Sequence, residues 1–347
     1  MPATTTPTSP LHTWWSRRPP TAGAAVMATG ILSVALHQTG YETLSRIALA
    51  LACASWLALA AAFTARLLWD RARWIEEAAT PAALTAIAAT TVLGTRFTTL
   101  GWETLAKALL ALAGLLWPVL LIAVVRRWHP HMPGAVFLAC VATQGLAVLG
   151  ATLAATESSA WLAHTALVLF WLGLVLYVIA LTRFDLRQVV HGVGDHWVAG
   201  GALAISALAG SKLIAADSTR LYLWNDDDTD ALRTVTVALL VLDLAWYAIL
   251  LVAEITWPRP HYDVRRWATV FPMGMTAAAT LSVADAVDVP WLETPGEVLL
   301  WIAVAAWLAV TAGAAWAYTR PNDRTAAGAG AKPGTTPGTD VRSTTQR

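Results

Sequence analysis

Apolar runs broken by short polar stretches divide the chain into ten segments of similar length. They run from Pro20 to Gln38, Leu44 to Trp69, Pro81 to Leu100, Leu105 to Val125, Pro133 to Thr156, Trp161 to Thr182, Trp197 to Ala216, Ala231 to Ile255, Trp267 to Ala286 and Val298 to Tyr318. About 20 apolar residues suffice for a helix to cross the hydrocarbon core of a bilayer, so each segment predicts a transmembrane helix. The segments alternate in kind. Even-numbered ones are Leu-rich with a tryptophan near the middle, at Trp56, Trp117, Trp171, Trp246 and Trp307. Odd-numbered ones are built of Ala, Gly, Thr and Ser, as in AAVMATGILS, AIAATTVLGT, ACVATQGLAVLG, GGALAISALAGS and MGMTAAATLS. The pattern is a helical hairpin repeated five times. Small residues let helix backbones approach or leave a lumen, whereas Leu and Trp suit lipid contact. The expected fold is therefore an all-α membrane protein, with five odd helices as an inner ring and five even helices wrapped around it.

Composition agrees: 57% of the 347 residues are hydrophobic, 13% are charged, and the mean hydropathy is +0.56. No soluble domain of this size combines such values. A formal net charge of +1 gives no footing for a nucleic-acid partner. Cys53 and Cys140 lie inside apolar segments and suggest neither a disulfide framework nor a metal site. No catalytic residue, cofactor or metal is predicted. Residues 1–19 read as a disordered cytoplasmic tail ending in a basic, Trp-rich anchor (Trp14, Trp15, Arg17, Arg18). Residues 20–319 form the transmembrane domain, and the Gly/Pro/Thr-rich residues 320–347 read as a second disordered cytoplasmic tail. With the N-terminus inside, seventeen Lys and Arg flank the spans on the cytoplasmic side and six on the other, which places both termini in the cytoplasm of a bacterial inner membrane.

The candidate chemistry centres on the Phe271-Pro272 step of the ninth segment. Phe271 is the one bulky ring on a small-residue helix, and Pro272 cannot donate to the carbonyl of Ala268 and loosens that turn. Such a ring is suited to plug a narrow pore; the alternative is a core phenylalanine packed between helices. Gly30, Gly94, Gly145, Gly201 and Gly274 fall one per odd helix near mid-depth, and with Ala278 they are candidate pore-lining positions. Close helix packing of the small-xxx-small kind would use the same glycines. Arg96, Lys212, His37 and Asp285 sit near the outer ends of odd helices. They would make a net cationic mouth, or snorkel to the headgroups, or pair with Asp285. Asp243, near the middle of the eighth segment, is a candidate for proton coupling or for a structural hydrogen bond. Asp226, Asp227 and Asp230 fit the DDxxD spacing by which intramembrane prenyltransferases hold magnesium on a diphosphate. Here the motif is single and lies in an outer loop, so a solvated helix start is the simpler account.

Three segments also resemble a known family. PTAGAAVMATGILSVALHQTG is similar to the opening helix of the tellurite-resistance/C4-dicarboxylate transporter family, which includes the plant slow-type anion channels. HWVAGGALAISALAG resembles that family's seventh helix and WATVFPMGM its ninth. The resemblance spans about residues 14 to 320. It implies a pseudo-five-fold ring of five hairpins around a central pore, a homotrimer with one pore per protomer, and Phe271 as the pore-occluding ring. It also implies passage of small inorganic anions or dicarboxylates, either channel-like or as a proton-coupled carrier of dicarboxylate, sulfite or tellurite.

Overall fold

The computed structural model describes residues 23–217, 223–257 and 263–319. The two terminal tails and the basic anchor lie outside them. Ten main helices follow in order: α1 Gly23–Gln38, α2 Glu42–Trp69, α3 Thr85–Thr99, α4 Glu103–Val125, α5 Leu138–Glu157, α6 Ala160–Arg183, α7 Val198–Ala216, α8 Asp226–Thr256, α9 Trp267–Ala286 and α10 Glu293–Thr319. Among the described residues there is no strand, only an isolated bridge between Met132 and Phe184. In hydrocarbon a backbone must satisfy its own polar groups, and helices do so within one segment.

Eight of the helices are long and apolar enough to cross a membrane by themselves. A ninth span is counted when the short helix Arg71–Ala78 is taken together with Pro81–Thr99, to which it is bent by 86°. The described part of α1 is 16 residues, short of the usual length. The ten spans expected from hydropathy thus correspond to eight or nine that qualify on length and composition, plus this shorter apolar helix.

Four of the odd helices end in the same kind of turn. At the ends of α1, α3, α5 and α9 one residue adopts a positive φ: Gly40, Gly101, Ser158 and Asp288. In each case the following N–H donates to the carbonyl five residues back: Tyr41 to Leu36, Trp102 to Phe97, Ser159 to Ala154, Val289 to Ala284. This is the Schellman end of a helix, used four times to reverse the chain into the next even helix.

Packing sorts the helices as their composition suggests. Over an apolar stretch of 18 residues in each span, 94% are buried in the span that contains α5 and 83% in those of α7 and α9, against 17% in α2 and 11% in the span of α10. The odd helices touch in a closed order, α1 to α3, α3 to α5, α5 to α7, α7 to α9 and α9 to α1. Each even helix packs on the odd helix before it and also reaches the next one round.

Tryptophans make three of those outer contacts specific. Trp56 Nε1 donates to Thr90 Oγ1 at 2.9 Å, Trp117 to Thr143 at 2.9 Å, and Trp307 to Thr29 at 3.0 Å. Each threonine in turn donates to the carbonyl four residues back, at Ala86, Ala139 and Ala25. An even helix is thereby stapled to the next odd helix at α2–α3, α4–α5 and α10–α1. Trp171 is 46% exposed. Trp246 Nε1 is buried and has no hydrogen-bond partner.

Candidate functional site

A small cavity is walled by all five odd helices. Its lining includes Ile31 of α1, Thr91 of α3, Gly145 of α5, Ile205 of α7 and Met275 of α9, and its volume is about 10 Å³. That is close to the lower limit for one water molecule. The two hydroxyls in the wall are turned back on their own helix, Thr91 donating to Ala88 and Thr95 to Thr91. They therefore present lone pairs rather than protons to the space. Neither the size nor the lining suits a hydrated anion in this conformation.

Phe271 lies one turn before Met275 on α9 and is fully buried, as are Met275 and Ala278. Pro272 sits inside the helix. Its ring packs against α7 at Gly201, where an added Cβ would fall 2.9 Å from Pro272 Cγ.

Of the other glycines singled out from the sequence, Gly145 lines the cavity. The rest mark contacts between neighbouring odd helices. A Cβ at Gly30 would meet Val92 at 2.9 Å, one at Gly94 would meet Leu149 at 2.5 Å, and one at Gly274 would meet Ile31 at 2.9 Å. The wall itself is largely made of aliphatic side chains, which the Ala/Gly/Ser/Thr composition of these helices did not suggest.

Two of the four ionisable residues singled out near the ends of the odd helices, Arg96 and His37, are drawn to Glu42. Arg96 is 1% exposed. Its Nη2 donates to both oxygens of Glu42, at 2.8 and 2.9 Å, its Nε to Ser45 at 3.0 Å and its Nη1 to Thr99 at 2.6 Å. Glu42 also accepts from Arg46 at 2.8 Å and lies 2.8 Å from His37 Nδ1. Ser33 and Ser45 exchange hydroxyl-to-carbonyl bonds of 2.7 Å, which lock α1 to α2 beneath the cluster. Lys212 is half-buried and Asp285 is exposed. Glu42 was not singled out from the sequence. Its signal is the spacing of His37, Glu42 and Arg46 across one hairpin turn, at the same membrane level as Arg96.

Asp243 on α8 is fully buried. Thr276 of α9 donates to its Oδ1 at 3.3 Å, while Oδ2 has no partner. Three more buried polar atoms without partners lie in the same α7–α8 layer: Trp197 Nε1, Trp246 Nε1 and Tyr247 OH. The rings of Trp197 and Tyr247 meet edge to face at 5.6 Å. Asp226 to Asp228 form the exposed first turn of α8, capped by Asn225, which accepts from the Asp228 N–H at 2.8 Å. Acidic side chains there complement the positive end of the helix dipole.

Residues 17–315 match the voltage-dependent anion channel family. The chain belongs to that family. The match covers all ten helices up to the last turn of α10 and agrees with the resemblance of the first, seventh and ninth segments. Members of this family, among them tellurite-resistance proteins and C4-dicarboxylate transporters, are channels or transporters. Two uncharacterised membrane proteins of Mycobacterium tuberculosis, MT1776 and Rv1735c, each from a different strain, are 28% identical over 126 residues. That stretch is 32% of this chain, and the chain spans 58% of the length of these relatives. Family membership and the apolar helices make this a multi-pass membrane protein of an anion-transporting family.

Proposed function

We propose that the chain conducts small anions or dicarboxylates through a central pore, ringed by the odd helices of five hairpins and closed at Phe271. The observation that carries this is the cavity with a wall from every odd helix, one turn from Phe271. The closed contact order of those helices and the family's anion transport support it. With room for about one water, the conformation described is shut, so conduction requires a side chain to rotate or α9 to flex. Pro272 weakens the helix beside the ring. Small inorganic anions fit a hydroxyl-poor, weakly selective lumen better than tight substrate capture would. The surplus of Lys and Arg on one side argues for cytoplasmic termini in a bacterial inner membrane, and the family resemblance for a trimer with one pore in each protomer.

Phe271→Ala tests the gate. In liposomes, with chloride, nitrate, malate, sulfite and tellurite compared, the variant is expected to raise basal anion flux severalfold, and Phe271→Leu to do so partially. If Phe271 is a core residue only, the alanine variant loses about 3 to 5 kcal/mol of stability and flux per folded protein is unchanged. Thermal stability recorded beside flux separates the two.

A second reading, proton-coupled transport of a dicarboxylate, sulfite or tellurite, is favoured by Asp243. A buried acid with an unpartnered oxygen beside α9 is placed to take up and release a proton during a transport cycle.

A further inference from the structure

A second, larger cavity opens on the side of the helix bundle, away from the central one. Its volume is about 190 Å³, and its walls come from the start of α1, from α2 between Trp56 and Arg66, from α3 and from α4. Along α2 that is about 15 Å at 1.5 Å per residue. The inner wall is small and apolar, with Ala86 and Ala89 of α3; the flanks are Phe63 of α2 and Leu112 and Leu116 of α4. Polar groups stand at the two ends. The Trp56–Thr90 hydrogen bond closes one. The Arg66–Glu77 ion pair, with N to O at 2.7 Å, closes the other. Glu77 reaches that position because the chain bends by 86° after Ala78, laying the helix Arg71–Ala78 across the end of the span.

We propose that this cavity holds an acyl chain of a bilayer phospholipid, with the headgroup outside at the level of the Arg66–Glu77 pair. The occupant follows from where the cavity opens. Leu112 lines it and is 39% exposed, and its neighbours Leu115 and Val119 are 75% and 59% exposed on the same outer helix. Leu57 and Leu68 of α2 are likewise exposed, at 62% and 69%. Such faces meet lipid wherever a second protomer does not cover them, and a cavity that opens among them is then continuous with the hydrocarbon layer. Apolar cavities of about 150 Å³ stay dry and take up apolar guests; what surrounds this one is chain, not water. The site is separate from the pore and does not depend on how anions pass.

Photoactivatable phospholipid with a diazirine in mid-chain, in liposomes containing the full-length protein, tests the assignment, with labelled positions mapped by peptide mass spectrometry. Labelling is expected on α3 at Ala86 and Ala89, which line the cavity, as well as at Leu115 on the outer face. Ala86→Phe, which fills the space, is expected to lower the α3 labelling severalfold and leave Leu115 unchanged. Ala89→Leu is expected to act in the same direction and serves if the phenylalanine variant fails to fold. The proposal is overturned if α3 is unlabelled in the parent protein while Leu115 is labelled. That is also the result if residues before Gly23, itself part of the wall, fill the cavity instead. Labelling of α3 that neither variant reduces overturns it equally.

Discussion

Two sectors of the same repeat are held together differently. From α10 through α1 to α5, three even helices are stapled to the next odd helix by an indole N–H on a threonine hydroxyl, at 2.9 to 3.0 Å. From α7 to α9 no such staple is found among the described residues. There α8 is tied to α9 at its two ends, by Arg233 donating to the Val287 carbonyl at 2.9 Å and by the Glu254–Arg266 ion pair, while at mid-depth the bond is longer, from Thr276 to Asp243 at 3.3 Å, amid four buried polar atoms without partners. In a membrane, water does not compensate for unmade hydrogen bonds, so at mid-depth the first sector has its polar groups satisfied and the second retains unused polar capacity. Phe271 and Pro272 lie in the second. The gate proposed at Phe271 needs a helix that can move, and the longer mid-depth bond falls on that helix.

Substitution at Gly201 should give the largest change in stability. The added methyl of Gly201→Ala meets Pro272, with Cγ at 2.9 Å and Cα at 3.2 Å, and a proline ring on a helix cannot turn aside. Overpacking of this kind costs about 1–3 kcal/mol. Gly30→Ala in the stapled sector meets Val92 Cγ1 at a similar 2.9 Å, where a valine rotamer can yield, and should cost less. Thermal unfolding in detergent measures both. Equal stability of the Gly201 variant and the parent would show that α7 and α9 separate easily, and would remove the steric half of the contrast.

The tryptophan series comes next and bears directly on the staples. Trp56→Phe, Trp117→Phe and Trp307→Phe each remove one interhelical bond, worth about 0.6 kcal/mol on average and about 1.7 at most between membrane helices. Trp246→Phe removes an indole N–H that has no partner and should cost nothing on that account. If Trp246→Phe destabilises as much as the other three, the tryptophans act through bulk alone and the two sectors are not distinguished by hydrogen bonding.

Much of this was legible in the sequence, and the physical reason is that lipid and protein surroundings select side chains of different size. The Ala/Gly-rich odd segments and Leu-rich even ones appear in space as buried and exposed helices. The staples were not legible. The mid-depth tryptophans stood out as lipid-facing bulk, but whether an indole turns inward depends on the rotation of two helices about their axes, which composition does not encode. For the same reason a glycine at mid-depth could mark either a lumen or a close contact. Gly145 borders the cavity, whereas Gly94 and Gly274 face Leu149 and Ile31 of neighbouring helices. Arg96 was legible as an unusual charge, but its partner Glu42 lies 54 residues away in sequence, and only the hairpin geometry brings the two together. The lateral cavity has no sequence mark beyond the turn before Pro81.

Asp243→Asn should change stability least. Asparagine keeps an acceptor for Thr276, and the bond it must preserve is the single one that Asp243 makes. The other carboxyl oxygen has no partner to lose. The two functional readings then diverge. A channel closed by Phe271 has no use for a titrating group on α8, so downhill anion flux through Asp243→Asn should match that of the parent. A proton-coupled carrier depends on it, because asparagine cannot take up and release a proton in the physiological range. If the parent protein in liposomes accumulates a dicarboxylate or sulfite against its gradient when the outside is acidified, Asp243→Asn should abolish that accumulation while sparing exchange down the gradient. Accumulation that persists in the variant assigns Asp243 to the α8–α9 contact alone. The unpartnered atoms around it would then mark packing without a proton path.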